Sequence, residues 1–346
     1  MTETWRVVAR PVATDTIYGL CLSPDGQRLA TASWDGSVRL LDLEQGRVTH
    51  RLQGHRGRVY SVAFHHGGRI LASAGADAMV RTWDGETGQP LWERSGHASL
   101  VYSVAFQPRG GLLASGSEDG TVCIWGSDGE RLHHLEAHNQ YVQGVAFSPD
   151  GRLLATASRD CYLGLWEVET GAEVGRLEVV RNGINSVRFT ADGTRVLLAN
   201  VDGSVGVWDL GSGAPVFERN EHRYPAWCAL FDPGEGTFAS GSADKTIVLW
   251  DASSGALRQR LSGHEKDVYS LDFSADGRRL VSAGADGTVR LWGRDATAAD
   301  WEALEARWRA SARAEAAERD PPPESSGAPA SDRRARGLLG RLFGKR

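Results

Sequence analysis

The strongest constraint on this chain is a regular spacing of tryptophans. Six of them recur every 41 or 42 residues: Trp83, Trp125, Trp166, Trp208, Trp250 and Trp292. One interval before Trp83, Leu41 lies in a run, Val38–Asp42, that resembles the runs around the tryptophans. Self-similarity at a fixed period of about 20–50 residues is typical of repeat architectures. The spacing therefore predicts seven equivalent units between about residues 11 and 293.

Each unit reads as four short strands. The first alternates, as in residues 59–64, and is followed by a Pro/Asp/Gly turn such as residues 23–26. The second, like residues 113–117, ends in a tight turn, and the third ends at the tryptophan. A glycine turn then leads to a more polar fourth strand. Four strands with a polar last member are typical of a propeller blade whose outer edge faces water.

Closing the ring requires one additional strand, because the strand pattern ends after Trp292. Residues 5–10 near the start of the chain resemble the fourth strands of the repeats, such as residues 47–52. We therefore predict that residues 4–10 pair with the last unit and close blade seven, which would remove the free sheet edges.

The residues that carry the repeat resemble those of the WD-repeat family over most of the chain. The Trp-Asp pairs are Trp83-Asp84, Trp208-Asp209 and Trp250-Asp251, and the matching Gly-His pairs are Gly54-His55, Gly96-His97 and Gly263-His264. The resemblance implies an all-β fold: a seven-bladed propeller of four-stranded antiparallel blades, closed by the N-terminal strand and followed by a C-terminal helix and a basic tail.

The resemblance also implies a hydrogen-bonded structural set in each blade, formed by a histidine, a strand Ser or Thr, a turn aspartate and the tryptophan. Five blades carry complete sets: His55, Ser73, Asp77 and Trp83; His97, Ser115, Asp119 and Trp125; His138, Thr156, Asp160 and Trp166; His222, Ser240, Asp244 and Trp250; His264, Ser282, Asp286 and Trp292. Because the set repeats at blade spacing, we interpret it as structural and not as a catalytic triad.

Two blades depart from this pattern. Blade one has Ala13 and Leu41 in place of the histidine and tryptophan, and blade five has Val180 and Leu198 in place of the histidine and the strand hydroxyl. We expect these two blades to be the least stable, or to be supported by another part of the chain.

A second periodic position lies five residues after each blade-opening histidine position. Its occupants are Tyr18, Tyr60, Tyr102, Gln143, Asn185, Trp227 and Tyr269. In the family this position resembles one that lines the wider face around the central channel, and Trp34, Tyr141 and Arg159 are at neighbouring positions. Aromatic side chains near charges such as Arg58 and Glu118 are typical of interface hot spots. The alternative is that the tyrosines only plug the channel.

Charge, cysteines and histidines exclude several other classes of function. The net charge is −5, and residues 320–346 carry six basic against three acidic side chains, which leaves −8 for residues 1–319. A nucleic-acid partner is therefore not expected, because its phosphates require a basic surface. Neither the four separated cysteines nor the histidine pairs have metal-ligand spacing, so we expect no metal and no cofactor. Without a leader or a membrane-spanning run, a cytoplasmic location is expected.

The remaining chain is expected to form three segments: an amphipathic helix in residues 294–319, a linker in residues 320–332 and a basic amphipathic tail in residues 333–346. Trp301, Leu304 and Trp308 share one helix face. That face either packs on the propeller or binds a partner.

The tail combines basic and apolar side chains. Its candidate contact residues are Arg334, Leu338, Leu339, Arg341, Leu342, Phe343 and Lys345. If helical, they form a small amphipathic surface suited to an anionic membrane. A docking peptide for a protein partner and a merely solubilising tail are the alternatives.

These features predict a non-catalytic, monomeric scaffold for protein partners. The partners would bind the wide face and the rim of the propeller, and the tail would supply a second contact with a membrane or a partner. The alternative hypothesis is a ligand-sensing or enzymatic propeller that uses its central channel. One fold hosts many functions, so the repeats do not name the partner.

Overall fold

A computed structural model describes residues 5–13, 15–179, 182–294 and 297–319. Across these residues the chain forms strands β1 to β28, grouped into seven four-stranded sheets, and one helix, α1. Every pair of neighbouring strands within a sheet is antiparallel, as in β2–β3 and β3–β4. The predicted seven-bladed propeller of four-stranded antiparallel blades is confirmed.

The blades follow one another in chain order. Blade one contains β2 (Ile17–Leu22), β3 (Arg28–Ser33), β4 (Val38–Asp42) and β5 (Arg47–Leu52). Blade two contains β6 (Val59–Phe64), β7 (Ile70–Gly75), β8 (Met79–Asp84) and β9 (Pro90–Ser95). Blade three contains β10 (Val101–Phe106), β11 (Leu113–Ser117), β12 (Thr121–Trp125) and β13 (Arg131–Glu136). Blade four contains β14 (Val142–Phe147), β15 (Leu153–Ser158), β16 (Tyr162–Glu167) and β17 (Glu173–Glu178).

The last three blades repeat this arrangement. Blade five contains β18 (Ile184–Phe189), β19 (Arg195–Asn200), β20 (Val205–Asp209) and β21 (Ala214–Arg219). Blade six contains β22 (Ala226–Phe231), β23 (Thr237–Ser242), β24 (Thr246–Asp251) and β25 (Leu257–Ser262). Blade seven contains β26 (Val268–Phe273), β27 (Arg279–Gly284), β28 (Thr288–Arg294) and β1 (Trp5–Pro11).

The first strand of the chain closes the ring, as predicted. β1 pairs with β28 through seven residue pairs, from Trp5 opposite Arg294 to Pro11 opposite Thr288. The last blade thus takes its outer strand from the opposite end of the chain, so the two ends of the propeller are held in one sheet.

The core lies between the blades. Trp83 of blade two packs with Ala30 and Leu40 of blade one, and Trp125 packs with Ala72 and Val80 of blade two. The same contact recurs around the ring. The regular spacing of the tryptophans therefore places one large aromatic side chain in each of six blade interfaces, where it is buried. Burial of such large side chains contributes strongly to core stability.

Helix α1 (Ala298–Arg319) packs on the propeller. It begins later than the expected residue 294, because β28 continues to Arg294 and Thr297 caps the helix by accepting a hydrogen bond from Asp300 N at 3.2 Å. Trp301, Leu304 and Trp308 are buried against blades seven and one. Of the two alternatives for this face, the structure shows packing on the propeller.

Polar contacts hold α1 across the closure between blades seven and one. Trp308 Nε1 donates to Leu43 O at 2.8 Å. Glu315 forms an ion pair with buried Arg10 of β1 at 2.5 Å and accepts from Val48 N of β5 at 2.9 Å. This described helix is not apolar enough to cross a membrane. The predicted linker in residues 320–332 and the predicted tail, with its candidate contacts, lie outside the described residues.

Candidate functional site

A β-bulge in every innermost strand positions the predicted face residues. In blade one, Ile17 pairs with Ser33 and Gly19 pairs with Ala32, which leaves Tyr18 between them as the extra residue. The same shift occurs in the other six inner strands. The seven residues at these bulges line one central cavity: Tyr18, Tyr60, Tyr102, Gln143, Asn185, Trp227 and Tyr269. Bulges re-aim side chains in this way, so the fold brings together residues about 42 positions apart.

The aromatic side chains at this end of the channel form a continuous chain of ring contacts, which we call the aromatic face. Neighbouring centroids lie 5.0–6.2 Å apart, in the order Trp227, Tyr269, Tyr18, Tyr60, Tyr102 and Tyr141, with Trp34 against Tyr18. These separations are those that aromatic pairs prefer. The face is therefore a preorganised surface in which each ring restrains the next.

Charged groups flank the aromatic face. The Arg58 guanidinium lies 3.2 Å from the Trp34 ring centroid, and Arg159 lies 5.9 Å from that of Trp227. Tyr102 donates to Glu118 at 3.4 Å. Such cation–π and hydrogen-bonded pairs fix the orientation of the rings. The face thus offers apolar area together with both signs of charge.

Exposure differs between the centre and the edge of the aromatic face. The tyrosines at the bulges are half-buried, whereas Trp34 is 38% and Tyr141 44% exposed. Burial raises the pKa of Tyr18 and of Tyr269 to about 12, so both hydroxyls remain protonated and can donate hydrogen bonds at neutral pH. The tyrosines therefore contact one another around the channel mouth, whereas Trp34 and Tyr141 at the edge remain exposed.

The predicted structural sets occupy the blade interiors. In blades two, four, six and seven, the closest histidine Nδ1 to aspartate distance is 2.8–2.9 Å and the histidine Nε2 to hydroxyl distance is 2.7–2.8 Å. The tryptophan Nε1 donates to the same hydroxyl at 2.8–3.1 Å. Blade three differs, because Thr121 lies 2.9 Å from His97 Nδ1 while Asp119 is 3.6 Å away.

The environment of these sets is that of a structural network. The hydroxyl-bearing residues at their centre, such as Ser73 and Thr156, are fully buried, so no substrate can reach them. Burial alone would raise the pKa of Asp160, but hydrogen bonds from His138 and backbone N–H groups lower it to about 2. The carboxylate therefore stays ionised and accepts hydrogen bonds within the network, and it is too weak a base for catalysis.

Blades one and five, which lack members of the hydrogen-bonded set, contain buried polar atoms without described partners. In blade five, Leu198 stands where a hydroxyl would accept, and the buried Trp208 Nε1 has no partner among the described residues. In blade one, Thr31 Oγ1 is buried without a described partner, and Arg39, which the sequence did not single out, forms the ion pair with Asp35. A buried arginine thus holds the turn aspartate in the blade that lacks the histidine, as Arg81 does beside the histidine in blade two.

Thr31 and Thr156 occupy equivalent positions and make a matched pair of substitutions. Thr31→Val should leave the free energy of unfolding unchanged or raise it by about 1 kcal/mol, because it removes a buried hydroxyl without a described partner. Thr156→Val should lower it by roughly 2–4 kcal/mol, because Trp166 Nε1 and His138 Nε2 both lose their partner. Chemical denaturation of the two variants measures this difference, and equal effects would contradict the assignment.

Metal and thiol chemistry find little support in the described part of the chain. It contains no group of three or more His, Cys, Asp or Glu side chains that could hold a metal ion. The four cysteines are free. Cys123 lies 3.3 Å from His134 Nδ1, but burial raises the pKa of its thiol to about 12, so it is not an activated nucleophile.

The central channel contains two charged residues that sequence reasoning missed. Three residues after each bulge, the inner strands carry Cys21, Ala63, Ala105, Ala146, Arg188, Leu230 and Asp272, all on the wall of a cavity of about 620 Å³. Five of these are small or apolar, whereas Arg188 and Asp272 are ionisable. An alignment of the seven inner strands would have revealed both as departures from their column.

The comparisons with known proteins agree with this architecture. The family model described as WD domain, G-beta repeat matches seven segments, residues 9–42, 46–84, 88–126, 129–167, 174–209, 213–251 and 255–293. The chain therefore belongs to the WD40 repeat family. Propellers of this family typically bind protein partners and are generally non-catalytic. Comparison with curated proteins gave no match.

Proposed function

We propose that this chain is a non-catalytic scaffold that binds protein partners through the aromatic face and the rim of the propeller. The observation that carries the proposal is the unbroken series of ring contacts from Trp227 to Tyr141, with exposed Trp34 and Tyr141 at its edge. Rigid aromatic side chains flanked by charges are the residues that contribute most to binding at protein interfaces. Their prior contacts also reduce the conformational entropy lost on binding.

The C-terminal tail would supply the second contact. Helix α1 is bound to the propeller through contacts as far along as Glu315, and its end at Arg319 is separated from residues 333–346 by residues 320–332 of the sequence. Six basic side chains in residues 320–346 favour an anionic membrane surface, each contributing about 1 kcal/mol near such a surface. A protein partner for the tail is the second candidate, because the same residues, if helical, would form an amphipathic docking segment. We also propose a cytoplasmic location, with association to a membrane where the tail binds one.

Exposed substitutions test the aromatic face without disturbing the fold. The face variant is Trp34→Ala with Tyr141→Ala, and the matched rim variant is Leu91→Ala with Leu132→Ala, which are also exposed, at 50% and 43%. Substitutions at exposed positions like these change the free energy of unfolding by about 0.5 kcal/mol or less. In quantitative mass spectrometry of affinity purifications, proteins that bind the aromatic face should be reduced about tenfold or more with the face variant and retained with the rim variant, and proteins that bind the rim should show the reverse.

The same comparison includes the truncation 1–319 and vesicles with and without anionic lipid. Loss of co-sedimentation with anionic vesicles on truncation supports the membrane contact, and loss of specific proteins instead supports a docking segment. Identical protein sets for the full-length chain and the face variant would show that the aromatic face is not the binding site.

A further inference from the structure

Arg188 and Asp272 both line the interior of the channel without forming a direct ion pair. They occupy equivalent positions on the inner strands of blades five and seven, and both line the same cavity. Among the described residues, no carboxylate oxygen lies within 4.0 Å of the Arg188 guanidinium, although each residue electrostatically favours the charged form of the other. The two charges thus line one cavity and attract each other without direct contact.

Each of the two side chains is only partly satisfied by the protein. Arg188 Nη1 donates to its neighbour Val187 O at 2.9 Å, and Asp272 Oδ2 accepts from Leu22 N at 2.7 Å. A guanidinium carries five donors, and the bond to Val187 O is the one described side-chain hydrogen bond of Arg188. Arg188 is exposed and Asp272 is half-buried, so both charged groups are accessible to a solute in the cavity. The pair therefore has the character of a binding site and not of a finished salt bridge.

The surroundings have the size and chemistry of a small-molecule site. The cavity of about 620 Å³ falls within the usual range for such sites, roughly 300–1,000 Å³. Its walls at this level are Ala63, Ala105, Ala146 and Leu230, and tyrosine rings cover one mouth. Apolar walls with a few convergent polar groups are typical of ligand pockets.

The signs of the two charges select among possible ligands. A simple anion would be attracted by Arg188 and repelled by Asp272. A simple cation would be attracted by Asp272 and repelled by Arg188. A molecule that carries both charges gains from both side chains. We propose that the channel binds a small zwitterion of the α-amino-acid type, with Arg188 binding its carboxylate and Asp272 its ammonium group. This site is separate from the partner surface proposed above.

Ligand-observed NMR and calorimetry on the purified full-length protein test the proposal. The probes are the free amino acids, with acetate and ethylammonium as single-charge controls, at about pH 8, where Asp272 is ionised because burial raises its pKa only to about 6. At least one amino acid should bind with a dissociation constant of about 10 mM or below. The dissociation constants of the single-charge controls should be about tenfold higher.

Two substitutions remove one charge each while sparing the fold. Arg188→Met places an apolar side chain where blade six already has Leu230, and Asp272→Asn retains an acceptor for Leu22 N. Each should weaken amino-acid binding about tenfold or more, whereas Trp34→Ala on the aromatic face should not. The proposal is overturned if no amino acid binds, if binding survives both substitutions, or if acetate binds as well as the amino acids do. Partner capture in lysates is a separate readout, so either proposal can fail alone.

Discussion

Deleting residues 1–10 is expected to lower the melting temperature by roughly 10 °C or more, because β1 supplies the only described outer strand of blade seven. The deletion removes the ladder with β28, the buried Val8 and the ion pair between Arg10 and Glu315. Burial of a valine side chain alone contributes about 1.5–3 kcal/mol. The truncated chain would also expose β28 as a sheet edge, which favours aggregation.

A matched pair of point substitutions separates the closure from other effects of truncation. Val7 and Val8 are neighbours on β1, but Val7 is 38% exposed and Val8 is 1% exposed. Val8→Asp should lower the free energy of unfolding by roughly 3 kcal/mol or more, because it buries an unpaired carboxyl group among apolar residues. Val7→Asp should change it by about 0.5 kcal/mol or less.

Thermal unfolding of the deletion and both point variants gives the answer. A shorter deletion of residues 1–4, which precede β1, serves as the control for shortening the chain and should leave the melting temperature unchanged. If the 1–10 deletion melted within about 2 °C of the full-length protein, or if Val7→Asp and Val8→Asp had equal effects, the closure by β1 in this register would be wrong.

The sequence predicted the repeat, the number of blades and the closing strand because these depend on periodic features. The interval between tryptophans fixes the number of units, and the likeness of residues 5–10 to residues 47–52 identifies the closing strand. Both signals are local patterns repeated several times, so a departure in one unit, such as Leu41, does not obscure them.

The features that the sequence did not predict arise from contacts between distant residues. Arg39 is an exception, because its partner Asp35 is only four residues away, and blade two has the equivalent pair Arg81–Asp77 beside its histidine. Glu315 bonds β1 and β5 through a helix whose docking position depends on the whole propeller. Arg188 and Asp272 lie on strands 84 residues apart, and the ring of blades brings both to the wall of one cavity.

The aromatic face lies between these two cases. Its seven bulge positions could be predicted as a column of the repeat, since each follows the same number of residues after a blade opening. The contact of Trp34 with Arg58 at 3.2 Å could not, because it joins the turn of one blade to the start of the next. Periodicity therefore predicts which residues share a surface, whereas the pairwise contacts that shape the surface require the coordinates.

Helix α1 explains how blade one persists without its tryptophan. The apolar cluster between blades seven and one contains Leu41, at the position that tryptophan occupies in the other blades, together with Trp301, Leu304 and Trp308 of α1. Gly46, at a φ of 63°, lies directly against Trp308, and a Cβ there would overlap the indole ring. The turn that follows β4 is thus shaped to receive this side chain, so α1 supplies from outside the propeller the aromatic area that the repeat lacks here.

Trp308→Ala is accordingly expected to lower the free energy of unfolding by roughly 3–5 kcal/mol. It removes a side chain that is 1% exposed and leaves Leu43 O without its donor. Trp308→Phe should lower the free energy of unfolding by less than Trp308→Ala does, because phenylalanine retains most of the apolar area although it cannot form the hydrogen bond. Arg309→Ala is the matched control: it is the next residue on the helix, its side chain is 70% exposed, and its ion pair with Glu305 contributes about 0.5 kcal/mol or less.

Denaturant unfolding followed by tryptophan fluorescence and by circular dichroism measures these differences. Coincident transitions in Trp308→Ala, shifted to lower denaturant, would show that α1 belongs to the same cooperative unit as the propeller. A first transition confined to α1, with the propeller transition unchanged, would show instead that the helix is an independent addition and that blade one is stable without it. The expected result is the single shifted transition, because Trp308 shares one buried cluster with Val8 of the closing strand and Leu29 of blade one.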